Sequence, residues 1–185
     1  MTETTRLPLL VLGLGNLICA DDGLGVAAVH RLLELYEAPD GVRVLDGGTL
    51  GLALLPYLED SERVILVDAI ADDAPAGSLV RLTGDDVAPA MAERLSVHQV
   101  GVADLLDGAR WRDRMPPVLV LLGIVPETVE LGLARSASVE KRVPELVERI
   151  VEESRRLGFE FRPREAHVPY PDFPLVHDAD AGGRL

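Results

Sequence analysis

Three short runs of the sequence, residues 9–12, 64–67 and 118–122, are apolar at every position. A strand with one wet face alternates apolar and polar residues, so an unbroken apolar run reads as a strand covered on both faces. Helices provide that cover in parallel α/β folds, and the intervening segments have the spacing such helices need. Val26, Val29, Leu32, Leu33 and Leu35 make an apolar stripe over residues 26–35, and residues 50–58 and 97–106 read as two more helices. Val139, Val143, Leu146, Val147, Ile150 and Val151 recur at helical spacing in a last helix that ends near Leu157-Gly158. Pro144 leaves its start open, either near Ser138 or later with Pro144 in the first turn.

Residues 42–45 read as a further short strand, followed by Asp46-Gly47-Gly48, and residues 78–82 as a strand at the sheet edge. The expectation is an α/β domain over residues 1–161, with a mainly parallel five-stranded sheet sandwiched between helices. Aromatic residues are only 4% of the chain, so Leu, Val and Ala have to build its core. Residues 162–185 differ: Pro163, Pro169, Pro171, Pro174, Gly182 and Gly183 crowd a segment without a period, which reads as an irregular tail.

Charge and cysteine usage narrow the function classes. A formal net charge of −13 repels phosphate backbones and argues against nucleic-acid binding. The single cysteine, Cys19, rules out an internal disulfide framework. No run approaches the roughly 18–20 apolar residues that cross a membrane. The first apolar stretch is short and runs into a glycine turn, unlike a signal peptide. A cytoplasmic protein is expected.

In open α/β sheets, ligands bind beyond the carboxyl ends of the strands. The residues there are Gly13-Leu14-Gly15-Asn16 with Asp21-Asp22-Gly23, then Asp46-Gly47-Gly48, then Asp68; Ser96-Val97-His98-Gln99 opens a helix downstream. Two carboxylates and an imidazole suit a divalent metal, because the acids neutralise the cation and imidazole favours nickel, zinc or iron. Each residue also has a plainer reading. Asp21 or Asp22 can cap the first helix, with Asp21 the cap if Asp22 points inward. Asp46 can be a turn residue, and His98 an ordinary helix-start residue. Asp68 is harder to dismiss, since a carboxylate ending a buried strand needs a partner. His30 reads as a surface or packed histidine. Cys19 lies beside acids that disfavour its thiolate, and His167 and His177 fall in the tail. Gly13-x-Gly15 has Ile18 where a dinucleotide fingerprint needs its third glycine, and an acidic pair follows; no nucleotide is expected.

Taken in order, Val11-Leu12-Gly13-Leu14-Gly15-Asn16 with Asp21-Asp22-Gly23-Leu24-Gly25, Leu45-Asp46-Gly47-Gly48-Thr49, Val67-Asp68-Ala69, Ser96-Val97-His98-Gln99-Val100-Gly101 and Gly123-Ile124-Val125-Pro126-Glu127 resemble the nickel–iron hydrogenase maturation endopeptidases. The resemblance spans residues 8–158. It implies a twisted, mainly parallel sheet between helices, with Asp22, Asp68 and His98 as metal-binding and catalytic residues and Asp46 in support. Some members carry Glu at the position of Asp22, so the reach to metal differs by one methylene. The implied substrate is the [NiFe]-hydrogenase large-subunit precursor, whose own nickel would contact Asp22, Asp68 and His98 before a C-terminal extension is removed. A monomer is expected. Two other readings remain: a nickel-binding maturation chaperone without peptidase activity, and a zinc-dependent peptide hydrolase.

Overall fold

The computed structural model describes residues 6–92 and 97–166, and of residues 97–100 the backbone alone. The elements run β1 (Leu9–Leu14), α1 (Leu24–Leu35), β2 (Tyr36–Glu37), β3 (Val42–Gly48), α2 (Leu55–Glu59), β4 (Arg63–Ala69), β5 (Leu79–Thr83), α3 (Val87–Ala92), α4 (Val97–Trp111), β6 (Val118–Ile124), α5 (Ala137–Glu140), α6 (Val143–Arg156) and β7 (Arg162–Pro163). The main sheet has five strands in the order β3-β1-β4-β6-β5. All neighbours are parallel except β5, an edge strand antiparallel to β6. This is the α/β architecture expected from the apolar runs.

Alternation along each strand divides the core in two. Leu9, Val11, Val44, Ile65, Val67 and Val120 face α1 and α6. Leu10, Leu12, Leu45, Val64, Leu66 and Leu121 face the helices α2, α3 and α4. Every residue of β1 is buried, which explains why the central strands contain no polar residue until their ends. Among the described residues, no helix is long and apolar enough to cross a membrane.

Several boundaries differ from those the sequence suggests. The segment 50–58 begins as a 3-10 turn over Gly51–Leu54 before α2. The last helix is divided: Ser136 caps α5, and α6 starts separately with Pro144 in its first turn. Helix α3 has no counterpart among the expected elements; only Val87 and Met91 of its six residues are buried, too few to show a period. The first residues after 161 are also ordered on the domain. β7 pairs with β2, and Arg164 Nε donates to the carbonyls of Leu33 and Tyr36 at the end of α1, at 2.9 and 3.2 Å. Those carbonyls have no partner within the helix, so the arginine completes its C-terminus. Residues 167–185, the rest of the expected tail with His167 and His177, lie outside the described residues.

The edge strand β5 is tied to α6 by a forked pair. Arg81 Nε and Nη2 donate to the two carboxylate oxygens of Glu153, at 2.9 and 2.8 Å. The bond from Arg81 holds the buried Glu153 carboxyl below the usual glutamate range, and Arg81 is raised in turn. Arg81→Ala is expected to cost about 2 kcal/mol near neutral pH, since among the described residues it leaves the buried carboxylate with the longer Arg156 bond alone. Glu153 has a lower pKa folded than unfolded, so the contribution is full above the unfolded value of about 4.3 and is lost as pH falls through the folded value. Denaturant unfolding from neutral pH downward should show wild type and Arg81→Ala converging only below that range.

Candidate active site

Parallel strands deliver their carboxyl ends to one edge. Gly13 of β1 lies in register with Asp46 of β3 on one side and Val67 of β4 on the other, and Asp68 follows opposite Gly123 of β6. With strands about 4.8 Å apart, Asp46 and Asp68 stand roughly 10 Å apart across β1. Alternation then turns them to opposite faces. Val42 and Val44, on the same side of β3 as Asp46, pack with α1; Val64 and Leu66, on the same side of β4 as Asp68, pack with α4. Asp46 accordingly meets His30 of α1, with Nε2 and Oδ2 2.7 Å apart. Asp46 is a strand residue rather than a turn residue, and His30 is its hydrogen-bonding partner rather than a bystander. Asp68 is fully buried on the α4 side, and its Oδ1 accepts the Ala69 N–H at 2.7 Å.

Asp22 reaches this edge through a tight backbone approach. The chain leaves β1 at Gly15 with φ +123, and a Cβ there would lie 1.9 Å from the Asp22 carbonyl oxygen. Only glycine fits such a position. The following Asn16 N–H donates to Asp22 Oδ2 at 3.1 Å. Asp22 sits in the 3-10 turn Ala20–Gly23, fully buried, and the turn packs on β4. The structure therefore brings Asp22, in the turn beyond β1, to the same sheet edge as Asp68 at the end of β4.

His98 lies in the first turn of α4. A Cβ on Gly101 would come within 3.0 Å of the Gly51 Cα, so two glycines let α4 start against the turn that follows β3. Its other end is held at the opposite edge, where Arg112 pairs with Glu59 and Arg114 with Asp60. The helix thus begins at the carboxyl edge, on the face towards which Asp68 turns. The His98 side chain lies outside the described residues; among the described residues, no three His, Cys, Asp or Glu side chains form a metal-binding group.

Neither Asp21 nor Asp22 caps α1, whose N-cap is Gly23. Asp21 instead binds a distant loop. Its Oδ1 accepts the Ser136 N–H at 2.7 Å, and its Oδ2 accepts the N–H groups of Glu127 and Thr128 at 2.9 and 3.2 Å and the Ser136 hydroxyl at 2.8 Å. Its own N–H donates to the Thr128 carbonyl at 3.2 Å. One buried carboxylate thereby joins the loop that carries Asp22 to the loop after β6. The signal in the sequence is an acid next to Asp22 with a single helix start for both to cap. Cys19, beside it, is a partly buried free thiol whose backbone bridges Gly132.

Asp21→Asn keeps the side-chain volume but turns an acceptor towards N–H groups as a donor. It should cost about 3 kcal/mol. In a chain of this size that lowers the unfolding temperature by roughly 6–12 °C, measurable by scanning calorimetry. A shift below roughly 2 °C would show that the loop stays in place without the carboxylate.

The fold and this edge can be set beside known proteins. The hydrogenase maturation protease family HycI matches residues 26–153. The chain is 35% identical over 159 residues to the hydrogenase 2 maturation protease of Escherichia coli (strain K12), covering 85% of this chain and 97% of that one. The solved hydrogenase maturating endopeptidase HybD from E. coli superposes with a TM-score of 0.80 at 33% identity, over 85% of this chain and 98% of that one. The [NiFe] hydrogenase maturation protease HybD from Thermococcus kodakarensis gives a TM-score of 0.62 at 31% identity, over 79% and 97%. On matches of this extent, the chain belongs to the hydrogenase maturation protease family.

Proposed function

We propose that this protease is the endopeptidase that removes the C-terminal extension of a [NiFe]-hydrogenase large-subunit precursor, acting as a monomer in the cytoplasm on precursor that already carries nickel. Family membership supports the peptidase chemistry. The observation that carries the site is the pair of fully buried carboxylates, Asp68 at the carboxyl end of β4 and Asp22 in the turn beyond β1 that packs on β4. Carboxylates taken out of water are costly unless a cation or donors compensate them. Two such acids, with His98 in the first turn of the helix on that face, would supply a donor set of two oxygens and one nitrogen, which suits nickel.

The nickel is part of the substrate in this reading. Asp22, Asp68 and His98 would hold it, and its Lewis acidity would polarise the scissile carbonyl. A carboxylate of the pair would take a proton from the attacking water and return it to the departing amine, so water is added across one peptide bond. The Asn16 and Ala69 N–H groups each donate to one oxygen of these acids, which helps hold both side chains at the edge. Asp46, on the opposite face with His30, supports the edge and is not assigned a reacting role.

The test is intact-mass spectrometry of nickel-loaded precursor incubated with the protein. Loss of one defined C-terminal peptide is expected, with at least a hundredfold slower loss for Asp22→Asn, Asp68→Asn and His98→Ala. Nickel-free precursor should remain whole; its full cleavage would remove nickel recognition from the mechanism. An unchanged mass with a correctly matched precursor would favour a nickel-binding chaperone. Stoichiometric zinc in the isolated, active protein would favour a resident-metal hydrolase.

A further inference from the structure

The loop joined by Asp21 exposes aliphatic side chains that no element of the fold requires there. Leu131 and Leu133 are 83% and 82% exposed, and Leu17 and Ile18 are 44% and 54% exposed. They are neighbours in space. Gly132, between the two leucines, donates its N–H to the Ile18 carbonyl at 3.0 Å and accepts the Ala20 N–H at 2.7 Å. The two loops therefore form one short ribbon, fastened beneath by the four bonds to Asp21.

This ribbon is continuous with the acidic edge. A Cβ on Gly23 would lie 2.8 Å from the Leu17 Cα, and the N–H of Asp22 donates to the Cys19 carbonyl at 3.0 Å. The ribbon therefore lies directly beside the turn that carries Asp22, next to the edge where the proposed cleavage takes place. Four exposed aliphatic side chains gathered on two hydrogen-bonded loops mark an interaction surface, and on a chain of net charge −13 like charge makes a second copy a poor occupant.

We infer that the ribbon bearing Leu17, Ile18, Leu131 and Leu133 is the docking surface for an aliphatic stretch of the precursor next to its scissile bond. The inference rests on the proposed processing activity. The ribbon binds by apolar contact, and the carboxylates beside it handle the charge and the proton. Substrate chemistry is thereby specified: at least one leucine-, isoleucine- or valine-like side chain lies close to the bond that is cut. Asp21 is a positioning residue in this arrangement, because it holds both the ribbon and the Asp22 loop.

The experiment measures KM and kcat for cleavage of the nickel-loaded precursor by the full-length protein, by a variant carrying Leu17→Ser, Ile18→Ser, Leu131→Ser and Leu133→Ser, and by Trp111→Ser. Trp111 is 95% exposed at the far end of α4 and serves as the control for removing an exposed apolar group. The fourfold variant is expected to raise KM tenfold or more, with kcat within about twofold and an unchanged unfolding temperature, while Trp111→Ser matches wild type. Serine replacement of the precursor's aliphatic residues at the cleavage site should raise KM for wild type and add little for the variant. A folded variant with wild-type KM overturns the docking surface while leaving the processing activity standing. So does a wild-type dimer, seen by sedimentation, that the variant splits without a change in KM. Absence of cleavage by wild type overturns the processing activity and the docking surface together.

Discussion

A parallel sheet buried on both faces has no room for charge along its strands, so charge has to wait for the strand ends. In this protein the ends of β1, β3 and β4 fall in register at one edge, and Asp46 and Asp68 take the first positions where the apolar runs stop. Helices cover both faces up to that edge. The concentration of carboxylates there follows from topology: parallel strands share a direction, and only their ends are free of the core.

The pleat then separates the two strand-end acids. Asp46 turns towards α1 and pairs with His30, while Asp68 turns towards the face on which α4 begins. A single-residue difference in strand position is enough to divide them, since successive side chains point to opposite sides. The Gly51–Gly101 approach determines how near the edge α4 can start. His98 is therefore placed by backbone contact one helical turn away from it.

Asp21 and Asp22 show how two adjacent acids acquire different roles. Asp22 faces the strand ends beneath the Gly15 turn; Asp21 faces the loop after β6 and accepts its N–H groups and a hydroxyl. Both are fully buried. The first is assigned to the reaction in the proposed function, and the second joins the two loops. A carboxylate accepting several charge-assisted bonds is well suited to this, because each bond is stronger than a neutral one and all converge on one group.

The three unbroken apolar runs by themselves determined the central strands β1, β4 and β6 and the helices on both sides, because only double-sided burial accounts for them, and the shorter mixed runs at 42–45 and 78–82 added the two edge strands. The ordered segments around Asp22, Asp46, Asp68 and His98 also made the family legible from residue order alone. What tertiary structure decided were the partnerships: Asp46 with His30, Asp21 with residues 127–136, Arg81 with Glu153, and Arg164 on the end of α1. Those partners lie 16 to 131 positions apart in sequence, and no local period records them. Local pattern reflects which face of an element is buried. The partner of a side chain at the end of an element depends on which loop folds over it, and that is settled only when the whole chain has packed.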